Sequence, residues 1–327
     1  MNIDMIRAAA KRLEGKTRVT PLLNSPFIDA RAGRRVWIKP ECLQHTGSFK
    51  YRGALSAISA LPPEVRARGI IAYSSGNHAQ GIARAAQEAG APAVIVMPKD
   101  APELKIKNTR LLGAETVLYD RAGEDRDAIG REIAEERGLT LIKPFDNEQV
   151  IAGQGTAGLE IAAQAQAAGV TKAEMLVCCG GGGFASGIAL ALEAEAPGMR
   201  VRPVEPIGFD DMKRSLEAGE RLSNASTTGS ICDAIISPTP GEITLPILRR
   251  LAGPGLLVSD DEALEAMAVA FTHLKVVAEP GGAVALAAAL FRKDEVEGED
   301  VIVTISGGNV DAPMFQTALT RYAASAA

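Results

Sequence analysis

The sequence predicts an α/β protein built on open, mostly parallel sheets with helices on both faces. Short β-branched runs alternate with alanine-rich segments of helical periodicity along most of the chain. Those runs are apolar at consecutive positions, the pattern of strands covered on both faces. Three of them end in small-residue loops that open helices, and in open α/β sheets ligands sit at such carboxyl ends of strands.

Strands are expected at 36–39, 70–73, 93–97, 116–119, 175–179, 201–204, 256–259 and 301–305. Helices are expected between them, at 51–60, 77–89, 103–112, 128–137, 159–168, 185–194, 261–274 and 283–291. Residues 1–12 have helical spacing and lack the apolar core of a signal peptide. A proline-led segment near residue 20 and the strand carrying Trp37 are expected to complete a sheet formed later in the chain. The stretch 223–246, rich in Ser, Thr and Pro, breaks the rhythm and predicts a long loop near the site.

A length of 327 residues allows one large domain or two lobes with their own cores. A net charge of −5 with scattered Lys and Arg argues against nucleic acid or an anionic membrane as partner. No run approaches the roughly 20 apolar residues of a membrane span, so a cytoplasmic protein is expected. Cys178 and Cys179 are adjacent, Cys42 and Cys232 stand alone, and no pair has C-x-x-C spacing. Buried structural thiols are therefore expected, without zinc or disulfides.

The three loops are Ser74-Ser75-Gly76-Asn77, Gly180-Gly181-Gly182-Gly183 and Ser306-Gly307-Gly308-Asn309. Four consecutive glycines before a helix offer unobstructed amides and the positive end of the helix dipole, which suits a phosphate. A bare strand-to-helix turn is the plainer reading. A dinucleotide site competes as well, because Gly180-x-Gly182-x-x-Ala185 follows a strand and Glu205 ends the next, as a ribose-binding acid would. A nicotinamide-dependent oxidoreductase is the function that this alternative carries. Gly15-Lys16-Thr17 is no phosphate loop of an NTPase, since Ala10 stands where that motif needs glycine.

Lys50, at the start of a helical run, would by itself read as a solvated side chain. Its surroundings change that. Residues 41–54, Glu-Cys-Leu-Gln-His-Thr-Gly-Ser-Phe-Lys-Tyr-Arg-Gly-Ala, resemble the Schiff-base segment of fold type II pyridoxal 5'-phosphate (PLP) enzymes, nearest to threonine/serine dehydratases and serine racemases. The likeness continues in order through Ser74-Ser75-Gly76-Asn77-His78-Ala79-Gln80-Gly81, Ile151-Ala152-Gly153-Gln154-Gly155-Thr156, the tetraglycine, Glu279-Pro280 and Ser306-Gly307-Gly308-Asn309.

The resemblance implies a two-lobed chain, similar to the tryptophan synthase β subunit. Residues 1–49 and 146–327 would form a large PLP-binding domain and 50–145 a small one. It implies that Lys50 holds the cofactor and serves as base at Cα, with Phe49 beside it. Gly180, Gly181, Gly182 and Gly183 would bind the phosphate, Asn77 the pyridine hydroxyl, and Ser306 the pyridine nitrogen. As an isolated residue, Ser306 would pass for a helix cap. Ser75 would face Cα from the side opposite Lys50, as in the racemases. Ser74, Ser75 and His78 would receive the substrate carboxylate.

Glu205, Phe209 and Asp211 resemble the divalent-cation site of the racemase branch, with the Phe209 carbonyl as third ligand. Oxygen ligands suit Mg2+, Ca2+ or Mn2+; a solvated acidic turn is the alternative. Arg126 matches in order an arginine that reaches the distal carboxylate of dicarboxylate ligands, and otherwise reads as an exposed residue at a helix start. Two departures bear on substrate: Cys232-Asp233-Ala234 where the family often has Ala-Asp-Gly, and Phe145 where the racemases have asparagine. The expectation is a homodimeric PLP-dependent ammonia-lyase acting on L-threonine and L-serine. A serine or amino acid racemase and a 3-hydroxyaspartate dehydratase remain the alternatives.

Overall fold

The computed structural model describes residues 1–74, 76–101, 103–120 and 123–326. The chain runs α1 (Ile3–Leu13), β1 (Leu23–Asn24), α2 (Pro26–Ala32), β2 (Arg35–Pro40), α3 (Lys50–Ser59), α4 (Pro63–Arg68), β3 (Ile70–Tyr73), α5 (Asn77–Ala89) and β4 (Ala93–Pro98). It continues with α6 (Glu103–Leu111), β5 (Glu115–Tyr119), α7 (Arg126–Arg137), β6 (Thr140–Leu141), α8 (Glu148–Ala167), β7 (Ala173–Cys178) and α9 (Gly183–Glu195). Last come β8 (Met199–Pro206), α10 (Asp211–Ala218), α11 (Thr244–Leu251), β9 (Leu256–Val258), α12 (Asp260–Val269), α13 (Pro280–Phe291), β10 (Asp300–Ile305) and α14 (Ala312–Ala326).

Two sheets result. The first has the order β1-β2-β10-β7-β8-β9, parallel except for β1, which pairs antiparallel with β2. The second has the order β5-β4-β3-β6 and is parallel throughout. The expected α/β class with parallel sheets holds. So does the expectation for the N-terminal segment, since β1 and β2 join the large sheet through β10, nearly three hundred residues away.

Successive side chains of a strand face opposite sides, and in β10 both sides meet apolar layers. Val301, Val303 and Ile305 pack with α12 and α13, while Ile302 packs among residues of α8 and α9. The small sheet repeats this: Ile70 and Ala72 face the side of α3 and α5, and Ile71 and Tyr73 face that of α7. Burial on both faces explains why the strands read as continuous apolar runs.

Some boundaries differ from expectation. The helix expected at 159–168 begins eleven residues earlier, at Glu148. Gly153, Gly155 and Gly158 interrupt its apolar pattern, yet each sits where a neighbour crosses closely. An added Cβ would lie 2.4 Å from the Arg52 carbonyl oxygen, 2.8 Å from the Gly187 carbonyl oxygen and 2.7 Å from the Ala191 Cβ, respectively. The helix expected at 261–274 is α-helical only to Val269. It ends in a π-turn, Ala270–Leu274, that Lys275 closes in the left-handed conformation. The segment 223–246 is irregular as far as residue 243, where α11 begins.

Candidate active site

Lys50 is the first residue of α3, and backbone bonds fix where that helix begins. The Phe49 N–H donates to the Ser306 carbonyl at 3.1 Å, and the Gly308 N–H donates to the Gly47 carbonyl at 2.9 Å. Ser48 and Gly307 form an antiparallel bridge between them. The Asn309 amide donates to the Thr46 carbonyl at 2.8 Å. Behind Lys50, the fully buried Arg52 grips Glu41 through two nitrogens at 2.7 and 2.8 Å and Glu160 through two at 2.6 and 3.0 Å. Lys39 donates to Glu160 at 2.6 Å. Buried charges must be paired to be tolerated, and this pairing ties α3 to β2 and α8.

The Lys50 side chain reaches a cleft of about 530 Å³ and donates to the Pro144 carbonyl at 3.0 Å. Although partly open to the cleft, its ammonium is crowded by protein. Desolvation lowers its pKa to about 8, against the opposing pull of the Glu279 carboxylate. Such a lysine is available as a free amine near neutral pH, the form that adds to a carbonyl or takes a proton.

The tetraglycine follows β7 and lines the same cleft. Gly182 has φ 90, a left-handed value, and caps α9. A Cβ on it would lie 2.6 Å from Met212 Cε and 2.9 Å from Thr244 Oγ1; one on Gly181 would overlap the Phe145 ring at 2.3 Å. The Gly181 carbonyl is held by Thr244 Oγ1 at 2.7 Å and by the Gly241 N–H at 3.1 Å. The first-turn amides of α9 have no partner within their helix, as an anion cup requires. Phe49 stacks on Phe184 with centroids 4.0 Å apart, next to this turn.

Ser306 ends β10, is buried, and lines the same cleft. Asn77, at the start of α5, donates to Glu279 Oε1 at 2.6 Å and accepts from the Asn309 amide at 2.7 Å. Glu279 is buried and its second oxygen has no partner. Burial raises its pKa to about 7, with Lys105, Asn77 and Lys50 opposing the rise and Asp233 adding to it. His78 contacts the Ile142 carbonyl through Nε2 at 3.1 Å. Burial and the Lys50 charge lower its pKa to about 3, so the ring is neutral. Ser74 lines the cleft and accepts the Gly76 N–H at 3.2 Å. Ser75 lies outside the described residues.

Arg126 lines the cleft at the start of α7, with 43% of its side chain exposed. Phe145 lines it too. Glu205, Phe209 and Asp211 are not part of its lining; they lie at the end of β8 and the start of α10. Glu205 accepts the Met212 and Lys213 amides at 2.9 and 2.8 Å. Burial and the nearby Asp211 charge push its carboxyl well up. Asp211 is raised to about 7, chiefly by burial; one oxygen accepts from Asn224 at 2.6 Å and the other is buried without a partner. Among the described residues, no group of three or more His, Cys, Asp and Glu side chains gathers into a metal centre.

In the sequence Glu279 stands within a motif with no role attached to it, and Tyr73 stands only as a strand end. For Glu279 the available signal was its Glu-Pro pair, a helix-start signature in which an acid suits the positive dipole end. Tyr73 carries no local signal, because its neighbours in α7 are more than fifty residues away.

The desolvated lysine, the glycine cup and the buried Ser306 form a site into which PLP fits. Among the described residues no helix is long and apolar enough to cross a membrane. A profile described as "Pyridoxal-phosphate dependent enzyme" matches residues 13–308. An L-threo-3-hydroxyaspartate ammonia-lyase of a Pseudomonas species is 43% identical over 316 residues, 97% of each chain. The serine racemase of Schizosaccharomyces pombe is 37% identical, again over 97% of each. The crystal structure of a T.th. threonine deaminase superposes with a TM-score of 0.89 at 44% identity, covering 95% of this chain and 99% of that one. The tetraglycine is thus not the mark of a nicotinamide enzyme: the chain belongs to the fold type II PLP-dependent enzymes, in the family that holds ammonia-lyases and serine racemases.

Proposed function

We propose that this enzyme is an ammonia-lyase for β-hydroxy amino acids whose preferred substrate carries a second carboxylate, as L-threo-3-hydroxyaspartate does. L-threonine and L-serine, favoured by the motifs alone, take second place. The observation carrying this reading is Arg126 on the rim of the cleft that Lys50 enters. A guanidinium fork binds a carboxylate through two parallel bonds, and the methyl group of threonine gains nothing from it. PLP, when bound, supplies an electron sink for the charge that develops at Cα. Lys50 would hold the cofactor through its amine and, as a free amine, would take the Cα proton. The amides and hydroxyls around Ser74 and His78 orient the substrate carboxylate at the start of α5. Loss of the β-hydroxyl as water and hydrolysis of the released enamine give a 2-oxo acid and ammonia. Ser306, a hydroxyl rather than a carboxylate, would face the pyridine nitrogen without protonating it, a setting that would favour loss of the β-group over transamination.

The test is a panel of L-threo-3-hydroxyaspartate, L-threonine and L-serine, scored for 2-oxo acid and for enantiomer in parallel, with Lys50→Ala as an inactive control. The kcat/KM for hydroxyaspartate should exceed that for threonine by about tenfold or more, the worth of one charge-assisted pair. Faster turnover of threonine overturns the substrate assignment, and inversion outpacing oxo-acid release favours a racemase.

We also propose that Glu205, Asp211 and the Phe209 carbonyl hold Mg2+, Ca2+ or Mn2+. Two buried carboxyls with raised pKa values, one with an unpartnered oxygen, are what a cation would relieve. Millimolar Mg2+ or Ca2+ should raise the Tm of the chelated protein, and Glu205→Gln/Asp211→Asn should lose that response. An equal response in the double variant places the cation elsewhere.

A further inference from the structure

Arg126 occupies an unfavourable place for a cation, the first turn of α7, where the helix dipole is positive. Its acidic neighbours are largely committed to other partners. The Asp125 carboxylate caps α7, accepting the Asp127 and Ala128 amides at 2.8 and 3.3 Å. Glu124 accepts the Asp120 amide. Asp127 approaches Arg126 at Nε, 3.6 Å away, and also engages the Tyr73 phenol. What lies under the guanidinium is a ring: its carbon sits 5.3 Å from the Tyr73 centroid.

Tyr73 is 7% exposed and is the last residue of β3, directly before the Ser74 loop. Gly130, one turn along α7 from Arg126, packs against an edge of the same ring. A Cβ there would lie 3.1 Å from Tyr73 Cδ1. The ring is therefore wedged between α7 and the strand end, and it lines the cleft together with Arg126, Asp127 and Lys50.

We propose that Tyr73 is a positioning residue for substrate choice: its buried ring holds the Arg126 guanidinium at the rim, with the terminal N–H fork presented to the distal carboxylate of the substrate. This rests on the dicarboxylate reading above. A guanidinium lying over an aromatic face keeps its N–H edge free for a carboxylate in its own plane, whereas a freely rotating arginine must lose its rotamer freedom on binding. Asp127 steadies the arrangement by engaging the phenol below and Nε from the side. Because Tyr73 immediately precedes the loop that takes the α-carboxylate, one strand end sets the spacing between the two carboxylate sites.

The holoenzyme is assayed as wild type, Arg126→Ala, Tyr73→Leu, Tyr73→Phe and the Tyr73→Leu/Arg126→Ala double variant. The measured quantity is the ratio of kcat/KM for L-threo-3-hydroxyaspartate over L-threonine, with succinate binding by calorimetry as a readout free of turnover. Tyr73→Leu should lower the ratio by about tenfold, through KM rather than kcat, and weaken succinate in parallel. Tyr73→Phe keeps the ring and should restore most of the ratio. In the double variant the leucine should add nothing to the loss from Arg126→Ala. If Tyr73→Leu does not fold, Tyr73→Met replaces it. An unchanged ratio in Tyr73→Leu or Tyr73→Met beside a lowered one in Arg126→Ala overturns the positioning role and leaves the substrate reading intact. An unchanged ratio in Arg126→Ala overturns that reading itself.

Discussion

The floor and the rim of the cleft are built differently. On the floor, Lys50, the tetraglycine and Ser306 are placed by backbone bonds, close helix crossings and the Arg52 charge cluster. On the rim, Arg126, Asp127 and Glu124 are placed by side chains meeting at a partly exposed helix start. A floor held by backbone tolerates almost no change and serves the chemistry common to the family. A rim held by side chains can change its specificity without disturbing the fold. Relatives named for hydroxyaspartate, threonine and serine all match this chain over nearly its full length, as such a division of labour allows.

The largest expected effect belongs to the floor. Gly182→Val forces a β-branched residue to φ 90 and drives carbon atoms against Met212 and Thr244. Strain and overpacking of about 2–3 kcal/mol should weaken PLP binding by roughly 30- to 150-fold, read from the cofactor absorbance on titration. Unchanged affinity would show the loop to be a turn with no part in phosphate binding.

A comparable effect concerns Glu279, which bonds Asn77 at the start of α5. Its folded pKa is raised from 4.5 to about 7, so the native state holds a proton that the unfolded state releases. Its stabilising share is complete below about pH 4.5 and is lost as pH rises through about 7, a loss on the order of 3 kcal/mol. Glu279→Gln keeps an acceptor for Asn77 but cannot ionise. Its Tm, relative to wild type, should therefore rise between pH 5 and 8; parallel curves would mean that Glu279 does not titrate in this range.

The smallest effect is on the rim. Asp125→Ala removes the cap of α7 and should lower stability by about 1 kcal/mol, a Tm shift of a few degrees at most. Cofactor affinity should be untouched. A loss of PLP binding in this variant would mean that rim and floor are coupled, and would break the comparison.

Much of the floor was legible in the sequence. Strands buried on both faces advertise themselves as apolar runs, and a lysine, a glycine run and a serine at strand ends form local words. Ser75 belongs to the same vocabulary, but its placement lies outside the described residues. The start of α8 was not legible, because the glycines that interrupt its pattern serve crossings with α3 and α9 rather than turns.

By itself, then, the sequence determined the fold class and most of the alternation of strands and helices, since both are written in periodicity, and it pointed to Lys50 through a contiguous segment that resembles a family. Only the tertiary structure decided that Glu279 bonds Asn77 across 202 positions, and that the half-exposed Arg126 lies over the Tyr73 ring. The physical reason is that burial, pKa and orientation depend on what the fold brings near a side chain, and those neighbours are distant in the chain.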